Sequence, residues 1–355
     1  MKKLLKNSIW LLVCFALTVG FSAWVDPGNL VHSESLFDDM LAIMQSGKNI
    51  DGVSDYSDRD FKRYAAAYVE APQTLVLGSS RSAQVDSSIT GDRLWNASVT
   101  GATMADCCAM FEVYREAGKL GERVILNVDT WAFDPYKTDA RTGIYLAAHY
   151  NAFLENHMGL PAQLQEQNKL LSIASELCSF GYFQSSVQYL PTLLGSVTLR
   201  NMLVSERTDT DYGMLCFDGS YRYPNSYINA ESLDILQRAM AQYESVGPAL
   251  ETAGGLDPQL QAQFEVLCSA ITAEGCELVL LMSPIHPALI DGMQQDGTLH
   301  YLREVEQYVS ETAQKYGATV VGSFEPANVN FDESAFLDAL HLSYFATVKL
   351  FRGKL

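Results

Sequence analysis

Basic residues are scarce in this chain, which limits the partners that its surface can bind. Among 355 residues, 24 lysines and arginines stand against 42 aspartates and glutamates, a formal net charge of −18. Without Lys2, Lys3 and Lys6, 21 basic residues remain against 42 acidic ones, a charge of −21. Such a surface repels phosphate groups. The composition therefore excludes a DNA- or RNA-binding protein.

The chain also lacks the close cysteine pairs of zinc sites. Its seven cysteines are irregularly spaced, and no Cys-x-x-Cys sequence occurs. Since structural zinc sites use such pairs, we expect no bound metal, and we expect no cofactor. A disulfide between Cys268 and Cys276 is left open.

One long run without charge marks the N-terminus. Residues 9–25 are free of charged side chains, and a helix of that length extends about 25 Å, the short end of a membrane span. Trp24 is placed as an interfacial aromatic, and no clear Ala-x-Ala cleavage motif follows. The sequence thus predicts an uncleaved single-pass anchor at residues 1–25. The alternative is a secretion signal, cut near residues 20–23; either way the remainder lies outside the cytoplasm.

Downstream, short apolar runs alternate with helical patterns, which is typical of a parallel sheet with helices on both faces. The predicted fold is α/β: a flavodoxin-like three-layer α/β/α domain at residues 71–355, after a helical stalk at residues 26–70. In the stalk, patterns at residues 35–46 and 57–69 each start with a serine that can cap a helix. The five predicted strands are residues 75–77, 94–99, 123–128, 277–282 and 318–321.

The segment between the third and fourth predicted strands is far longer than one crossover connection. We expect a helical insertion at about residues 140–255, with helices near 161–177 and 185–203 and a tyrosine-rich loop at 218–224. Such an insertion would form a lid or a substrate wall beside the sheet. Other helices are predicted at residues 104–117, 256–274 and 301–316, and from about residue 342.

Three groups of residues follow predicted strands, at the edge where open α/β sheets bind ligands. Ser80, two residues after Gly78, can act as a nucleophile if a histidine reaches it. Gly101 follows the second strand and, without a Cβ, lets a backbone N–H approach an oxyanion. Asp338 and His341, three residues apart, would share a face in a helical turn, so that the carboxylate orients the imidazole. The alternative for each group, taken alone, is an ordinary turn or helix cap without a catalytic role.

Together these motifs resemble the SGNH hydrolase superfamily of GDSL-type esterases, lipases and acetyltransferases. Residues 78–80 are similar to its Gly-Asp-Ser nucleophile block, with serine in place of aspartate. Residues 96–101 are similar to its Asn-x-x-x-x-Gly oxyanion block, and residues 338–341 to its late Asp-x-x-His. The resemblance covers roughly residues 70–135 and 275–355.

The resemblance implies a catalytic Ser80, His341 as its base and Asp338 as the group that orients the imidazole. The backbone N–H groups of Ser80 and Gly101 would hold the oxyanion. The family's third block, Gly-x-Asn-Asp, is absent, because the third strand runs into Asp-Thr-Trp. Losing one oxyanion donor costs about 3–4 kcal/mol in the transition state. Thr130 is the candidate replacement.

Two further residues adjoin this predicted site. Arg81 directly follows the nucleophile and is a candidate for binding an anionic group of the substrate, or else for pairing with an acid such as Asp86. His286 ends the fourth strand, so it is a candidate for substrate contact or else a structural residue.

The anchor and the Ser-Ser form look like the branch of the superfamily that modifies cell-surface polymers, such as teichoic acid D-alanine transfer proteins and exopolysaccharide acetyltransferases. This implies an extracytoplasmic serine esterase or O-acyltransferase whose partners are a cell-envelope glycan or polyol polymer and an integral membrane acyl donor protein. One alternative is a non-catalytic scaffold or glycan-binding protein of envelope assembly. Another is a nucleotide binder that uses residues 78–82 as a phosphate loop, which the acidic surface and the single glycine disfavour.

Overall fold

The computed structural model describes residues 2–52, 56–195, 202–246 and 254–355, and the protein has an α/β fold. The helices, in chain order, are α1 (Lys2–Val25), α2 (Ser33–Gln45), α3 (Asp58–Ala65), α4 (Ser87–Thr90), α5 (Met104–Glu116), α6 (Ala140–Tyr145), α7 (Ala147–Phe153), α8 (Lys169–Leu177), α9 (Phe180–Gly195), α10 (Asn225–Ile228), α11 (Ser232–Val246), α12 (Pro258–Ala273), α13 (Pro287–Gln295), α14 (Leu299–Tyr316) and α15 (Tyr344–Phe351). The strands are β1 (Asn49–Asp51), β2 (Thr74–Leu77), β3 (Leu94–Asn96), β4 (Arg123–Asn127), β5 (Leu203–Ser205), β6 (Met214–Leu215), β7 (Tyr221–Arg222), β8 (Glu277–Met282) and β9 (Thr319–Gly322).

Five strands form the parallel sheet that the sequence predicts. Their order is β3-β2-β4-β8-β9, so β2 lies between the two strands that follow it in the chain. In the register, Leu75 is opposite both Trp95 and Val124, and Val124 is opposite Leu278. All four residues of β2 are buried. A strand buried on both faces has no polar alternation, which explains its uninterrupted apolar pattern.

Side chains of the sheet alternate between two apolar clusters. Leu75 and Leu278 belong to the larger cluster, which includes buried residues of α5, α12 and α14. Val76 and Ile125 belong to the smaller one, which includes Leu350 of α15. Each face of the sheet therefore contributes side chains to an apolar cluster.

The second strand of this sheet is shorter than predicted, and the reason bears on the site. It ends at Asn96 rather than at residue 99. The reason is that the side-chain amide of Asn96 makes hydrogen bonds to backbone groups on both sides, where a strand would pair with its neighbour. Asn96 Oδ1 accepts hydrogen bonds from the N–H and the Oγ of Ser98 at 3.0 and 2.6 Å. Asn96 Nδ2 donates to the carbonyls of Ser82 and Val85. The side chain thus joins the end of β3 to the turn after β2.

The N-terminal region contains the predicted apolar helix. Asn7–Val25, with a mean hydropathy of 2.0, is long and apolar enough to cross a membrane or to be a signal sequence. Helix α3 has the predicted cap, in which Ser57 Oγ accepts a hydrogen bond from the N–H of Asp60. The predicted serine cap of α2 is wrong, because that helix follows His32, whose side chain makes no capping bond. The His32 ring contacts Asp26 instead.

The long segment between β4 and β8 contains a second sheet that the sequence did not predict. Strands β5, β1, β6 and β7 form an antiparallel sheet in that order, joining the stalk to the insertion. Strands of two or three residues are too short for a period of two to be recognised. Of the predicted helices, residues 161–177 contain only α8, and α9 starts five residues before the predicted helix at 185–203. Residues 196–201 of that prediction lie outside the described residues.

The disulfide that the sequence left open is not formed. All seven cysteines, including Cys268 and Cys276, are free thiols. Burial, together with the nearby Asp218 carboxylate, raises the pKa of the Cys216 thiol to about 11, so it stays protonated at neutral pH. The buried cysteines act as small apolar side chains.

Candidate active site

The turn after β2 requires a glycine. Gly78 has a φ of +129°, and a Cβ there would lie 2.6 Å from the Cβ of Asn127 on the neighbouring strand. No other residue type combines that conformation with that close approach. The chain then enters a short 3-10 helix, Ser80–Ser82, in which Ser79 Oγ accepts a hydrogen bond from the N–H of Arg81. The turn leaves Ser80 half-buried at the sheet edge.

Asp338 and His341 lie in a loop before α15, so the helical turn predicted for them is wrong. The loop is closed by its own side chain, since Asp338 Oδ1 accepts the N–H groups of Leu340 and His341, both at 2.8 Å. A backbone bond from the N–H of Leu337 to the carbonyl of His341, at 2.8 Å, closes it further. The side chains of Asp338 and His341 still meet, because the hydrogen bonds that Asp338 accepts from the loop backbone hold the loop in a tight turn.

Ser80, His341 and Asp338 form a continuous chain of hydrogen bonds. Ser80 Oγ lies 2.9 Å from His341 Nε2, although 261 positions separate the two residues. On the other side of the ring, His341 Nδ1 lies 2.8 Å from Oδ2 and 3.0 Å from Oδ1 of Asp338. A carboxylate accepts only, so Nδ1 carries the proton and Nε2 accepts from the serine hydroxyl. The arrangement is that of a nucleophile, a base and an orienting acid.

Asp338 is held as a carboxylate. Its burial would raise its pKa, but the hydrogen bond and charge of His341, with further bonds from Tyr227 and from the N–H of Leu340, bring the pKa well below its usual value. Only 1% of the residue is exposed. Asp338 is therefore ionised at neutral pH.

The insertion covers the imidazole from the solvent side. Tyr227 of α10 donates a hydrogen bond from its hydroxyl to Asp338 Oδ2. Tyr223 stacks on Tyr227, with ring centroids 5.5 Å apart, and also lies 5.5 Å from the His341 ring. The sequence predicted a tyrosine-rich loop beside the sheet, but no local signal indicated that a tyrosine would bond the aspartate.

A pocket of about 500 Å³ opens beside Ser80. Ser80, Ala83 and His341 line it from the edge of the parallel sheet, and Tyr221 and Tyr223 line it from the insertion. Hydroxyl, aromatic and charged side chains line it, Arg141 among them, which suits a polar ligand.

The loop of the second motif contributes the floor of this pocket. Ser98, Val99 and Thr100 line it, whereas Gly101 lies just outside, with a φ of +63°. The N–H groups of Ser98, Val99 and Thr100 each bond a protein acceptor. In the part of the chain that the structure describes, the N–H of Gly101 bonds none. Among residues 98–101 of the described chain, Gly101 is therefore the backbone donor without a protein acceptor.

A buried ion pair fixes the same loop. Arg59, with no exposed surface, donates from Nε and Nη2 to the Asp106 carboxylate at 3.0 and 2.8 Å. Its Nη1 donates to the carbonyl of Thr100 at 3.1 Å. Asp106 also accepts from Thr103 and Thr142, so each of its oxygens is bonded. Spacing along the chain did not reveal this pair, because 47 positions separate its members.

Thr130 and Arg81 lie away from the pocket lining. Thr130 is half-buried, one residue after Asp129. The Arg81 guanidinium is fully buried and bonds Asp129, the carbonyls of Ser283 and Pro284, and the carbonyl of Leu340. The acid that pairs with Arg81 is thus Asp129, while Asp86 pairs with Arg222. In this structure Arg81 fixes the loop of the histidine and has no surface left for a substrate.

His286 is also inside the protein rather than on the pocket. It is 1% exposed, its Nδ1 accepts the N–H of Ala288 at the start of α13, and its ring packs edge-on against Phe336. Burial lowers its pKa, so the ring is neutral. Its backbone N–H donates to the carbonyl of Ala339 at 2.9 Å, which makes it a further support of the histidine loop.

No protein-family model matches this chain, and no curated protein matches it. The geometry of the site is thus the basis for assigning a function. A hydroxyl bonded to an oriented imidazole can attack an acyl carbonyl, and the adjoining pocket gives a substrate access to it.

Proposed function

We propose that this protein is an SGNH-type serine esterase or O-acyltransferase, with Ser80 as the nucleophile. The observation that carries the proposal is the bonded series from Ser80 through His341 to Asp338 at the mouth of a pocket. Each member comes from a motif that resembles the corresponding block of that superfamily.

The arrangement of the sheet supports the proposal. Numbered along the chain, its strands are ordered 2-1-3-4-5, which is the order of flavodoxin-like folds, and each face contributes side chains to an apolar cluster. We propose that the domain is a three-layer α/β/α fold of that type. Ligands of such folds bind at the carboxyl ends of the strands, which is where Ser80 lies.

In the proposed reaction, His341 Nε2 takes the proton of Ser80 while Oγ bonds the acyl carbon. The tetrahedral intermediate collapses as the bond to the leaving oxygen breaks, and His341 gives the proton to that oxygen. Water or a sugar or polyol hydroxyl then attacks the acyl-enzyme by the same steps in reverse order. Asp338 keeps the Nδ1 proton in place throughout.

The oxyanion would be held by the backbone N–H groups of Ser80 and Gly101. The N–H of Ser80 precedes the first hydrogen bond of its short helix, and that of Gly101 has no protein acceptor among the described residues. Thr130 is the candidate third donor, and it would have to approach from outside the present pocket lining. With Thr130 in its present position, we propose that two backbone N–H groups, those of Ser80 and Gly101, form the oxyanion hole.

For the location we propose a single-pass anchor formed by α1, with the α/β domain outside the cytoplasm. The acceptor class is a cell-envelope glycan or polyol polymer, because tyrosine rings and hydroxyls line the pocket and the surface is too acidic for nucleic acid. An integral membrane acyl donor is the proposed partner for transfer.

A second candidate function is a non-catalytic glycan-binding scaffold. The observation that favours it is the segment after β4, where Asp129 pairs with Arg81 and no asparagine occurs at residues 128–133 to complete an oxyanion hole. The two functions differ in whether Ser80 reacts.

A fluorophosphonate probe tests the proposal. The wild-type protein is expected to be labelled covalently, and Ser80→Ala is expected to lose the label because no other hydroxyl bonds His341 Nε2 in the described residues. Ser88→Ala, an exposed serine eight residues on, is the matched control and should label like the wild type. Labelling that persists in Ser80→Ala, or no labelling of the wild type, would favour the scaffold.

A further inference from the structure

Helix α9 of the insertion packs against the apolar helix α1. The Tyr182 hydroxyl donates to Asp26 Oδ1 at 2.7 Å and accepts the N–H of Gly28 at 3.1 Å. One residue later, the Phe183 ring meets Phe21 edge-on, with centroids 5.8 Å apart. The start of α9 is therefore fixed at the C-terminal end of α1, on its last two turns.

Small residues let the two helices approach closely. Ser22 of α1 and Ser186 of α9 both have no exposed surface. Ser186 is four residues after Tyr182, so the two lie on the same face of α9 and turn toward α1. Small side chains at a helix contact are typical of helices that pack in membranes.

The face of α9 next to the one that packs on α1 is apolar and exposed. Phe180, Val187 and Leu194 recur every seven residues, hence on one side of the helix, with 71%, 49% and 70% of their surfaces exposed. Leu170 and Leu171 of α8 are exposed beside them to a similar extent. We call these five residues the α8–α9 surface.

The α9 part of this surface carries no charge, although the protein as a whole is strongly acidic, and the two charged residues of α8, Lys169 and Glu176, are at its two ends. No aspartate, glutamate, lysine or arginine occurs from residue 177 to residue 195. The surface is also continuous with α1, whose outer side chains, such as Leu11 and Leu17, are exposed to about the same degree. If α1 crosses a bilayer, lipid covers those side chains, and the same lipid reaches α9.

We propose that the α8–α9 surface docks into the lipid bilayer beside α1. At 16 residues α9 is too short to span a bilayer, so it enters one leaflet as a partly inserted helix. Pro191 within it agrees with this, since proline is tolerated in membrane helices. The proposal rests on α1 being retained as the anchor. It also gives a reason for retention, because cleavage near residues 20–23 would remove Phe21 and Ser22, against which α9 packs.

The test uses the full-length chain in phosphatidylcholine vesicles with one fluorescent NBD label. Cys14 and Cys178, the exposed thiols, are replaced by serine, and the buried thiols stay unlabelled in the folded protein. The label is placed at Val187→Cys or Leu194→Cys. Leu11→Cys on α1 is the lipid reference, and Leu233→Cys on α11, equally apolar and 62% exposed, is the water reference.

Labels at 187 and 194 are expected to emit at shorter wavelength and to be quenched by nitroxides on the lipid acyl chains, as at position 11, while the label at 233 does neither. Emission like that at 233 would overturn the proposal. Blue-shifted emission that acyl-chain nitroxides leave unquenched, and that changes on dilution, would mean that a second copy covers the surface. An unquenched label at position 11 would reject the anchor as well. None of these readouts depends on Ser80, so the esterase proposal stands or fails separately.

Discussion

The two walls of the pocket differ in how they are built. The wall with Ser80 is the edge of a parallel sheet whose central strands are buried on both faces, and its backbone bonds run along whole strands. The wall with Tyr221 and Tyr223 belongs to an antiparallel sheet with strands of two or three residues, and side-chain contacts and a few backbone bonds join it to the first wall. In the proposed mechanism, the first wall supplies the reactive groups, and the second one positions them.

Side-chain contacts join the second wall to the first, beside backbone bonds from the N–H of Tyr221 to the carbonyl of Ala83 and from the N–H of Asn96 to the carbonyl of Asp218. Asp218 accepts from the N–H and the Oγ of Ser87. Arg222 pairs with Asp86, which caps α4. Lys62 donates to a carbonyl on each wall. The insertion is thus fastened to the turn that carries Ser80, so the proposed mechanism predicts that a change in the insertion outside the pocket lining alters catalysis through that turn.

The largest expected effect comes from the first wall. Asp338→Asn keeps the shape of the side chain but removes the charge that holds the Nδ1 proton of His341. The proposed mechanism predicts a loss of about 10⁴-fold in kcat for hydrolysis of p-nitrophenyl acetate. Asp332→Asn, an exposed loop aspartate outside the site, is the control. A loss below tenfold would mean that the carboxylate does not orient a catalytic imidazole.

The sequence predicts most of the first wall. Buried strands give unbroken apolar runs, and a glycine at the end of β2 signals the sharp turn that presents Ser80. It locates Asp338 and His341 by their position after the last strand, though the helical turn assumed for them is a loop closed by the aspartate itself.

The sequence does not predict the second wall, because its contacts span long distances along the chain. Tyr227 and Asp338 are 111 positions apart, and Arg222 and Asp86 are 136. Nothing in a local window tells a tyrosine that bonds a carboxylate from one that packs. For Arg81 the local pattern allowed a substrate role, whereas four protein acceptors on three separate segments take up its guanidinium.

The second-largest effect is expected at Lys62, which bonds a carbonyl on each wall, and it concerns the pH dependence of stability. Lys62 Nζ donates to the carbonyls of Asn96 and Gly219. Burial lowers its pKa from the ordinary lysine value of 10.5 to about 8, despite the carboxylates of Asp218 and Asp58. Between those pH values the unfolded chain binds a proton that the folded protein has released. The free energy of unfolding should therefore rise with pH across that window, by about 3 kcal/mol at most.

Lys62→Met removes this titration, so urea denaturation at pH 7.5, 9 and 10.5 should show the rise in the wild type and its absence in the variant. Tyrosines with raised pKa values titrate in both proteins and cancel in the difference. Lys137→Met, at an exposed position, should keep the pH dependence of the wild type. If the free energy of unfolding changed with pH by the same amount in Lys62→Met and in the wild type, burial would not lower the pKa of Lys62.

The smallest effect is expected from the hydrogen bond that Tyr227 of the second wall donates to Asp338 of the first wall. Tyr227→Phe deletes the hydroxyl that bonds Asp338 and keeps the ring that stacks on Tyr223. Losing one hydrogen bond to a charged group predicts a fall of about tenfold in kcat for p-nitrophenyl acetate, with KM unchanged, because the hydroxyl touches Asp338 and not the substrate. Tyr243→Phe deletes a similar bond, to Asp296 outside the pocket, and should keep the wild-type kcat. A rise in KM at constant kcat would instead make Tyr227 part of the substrate wall, and the insertion would then shape the pocket without positioning the imidazole.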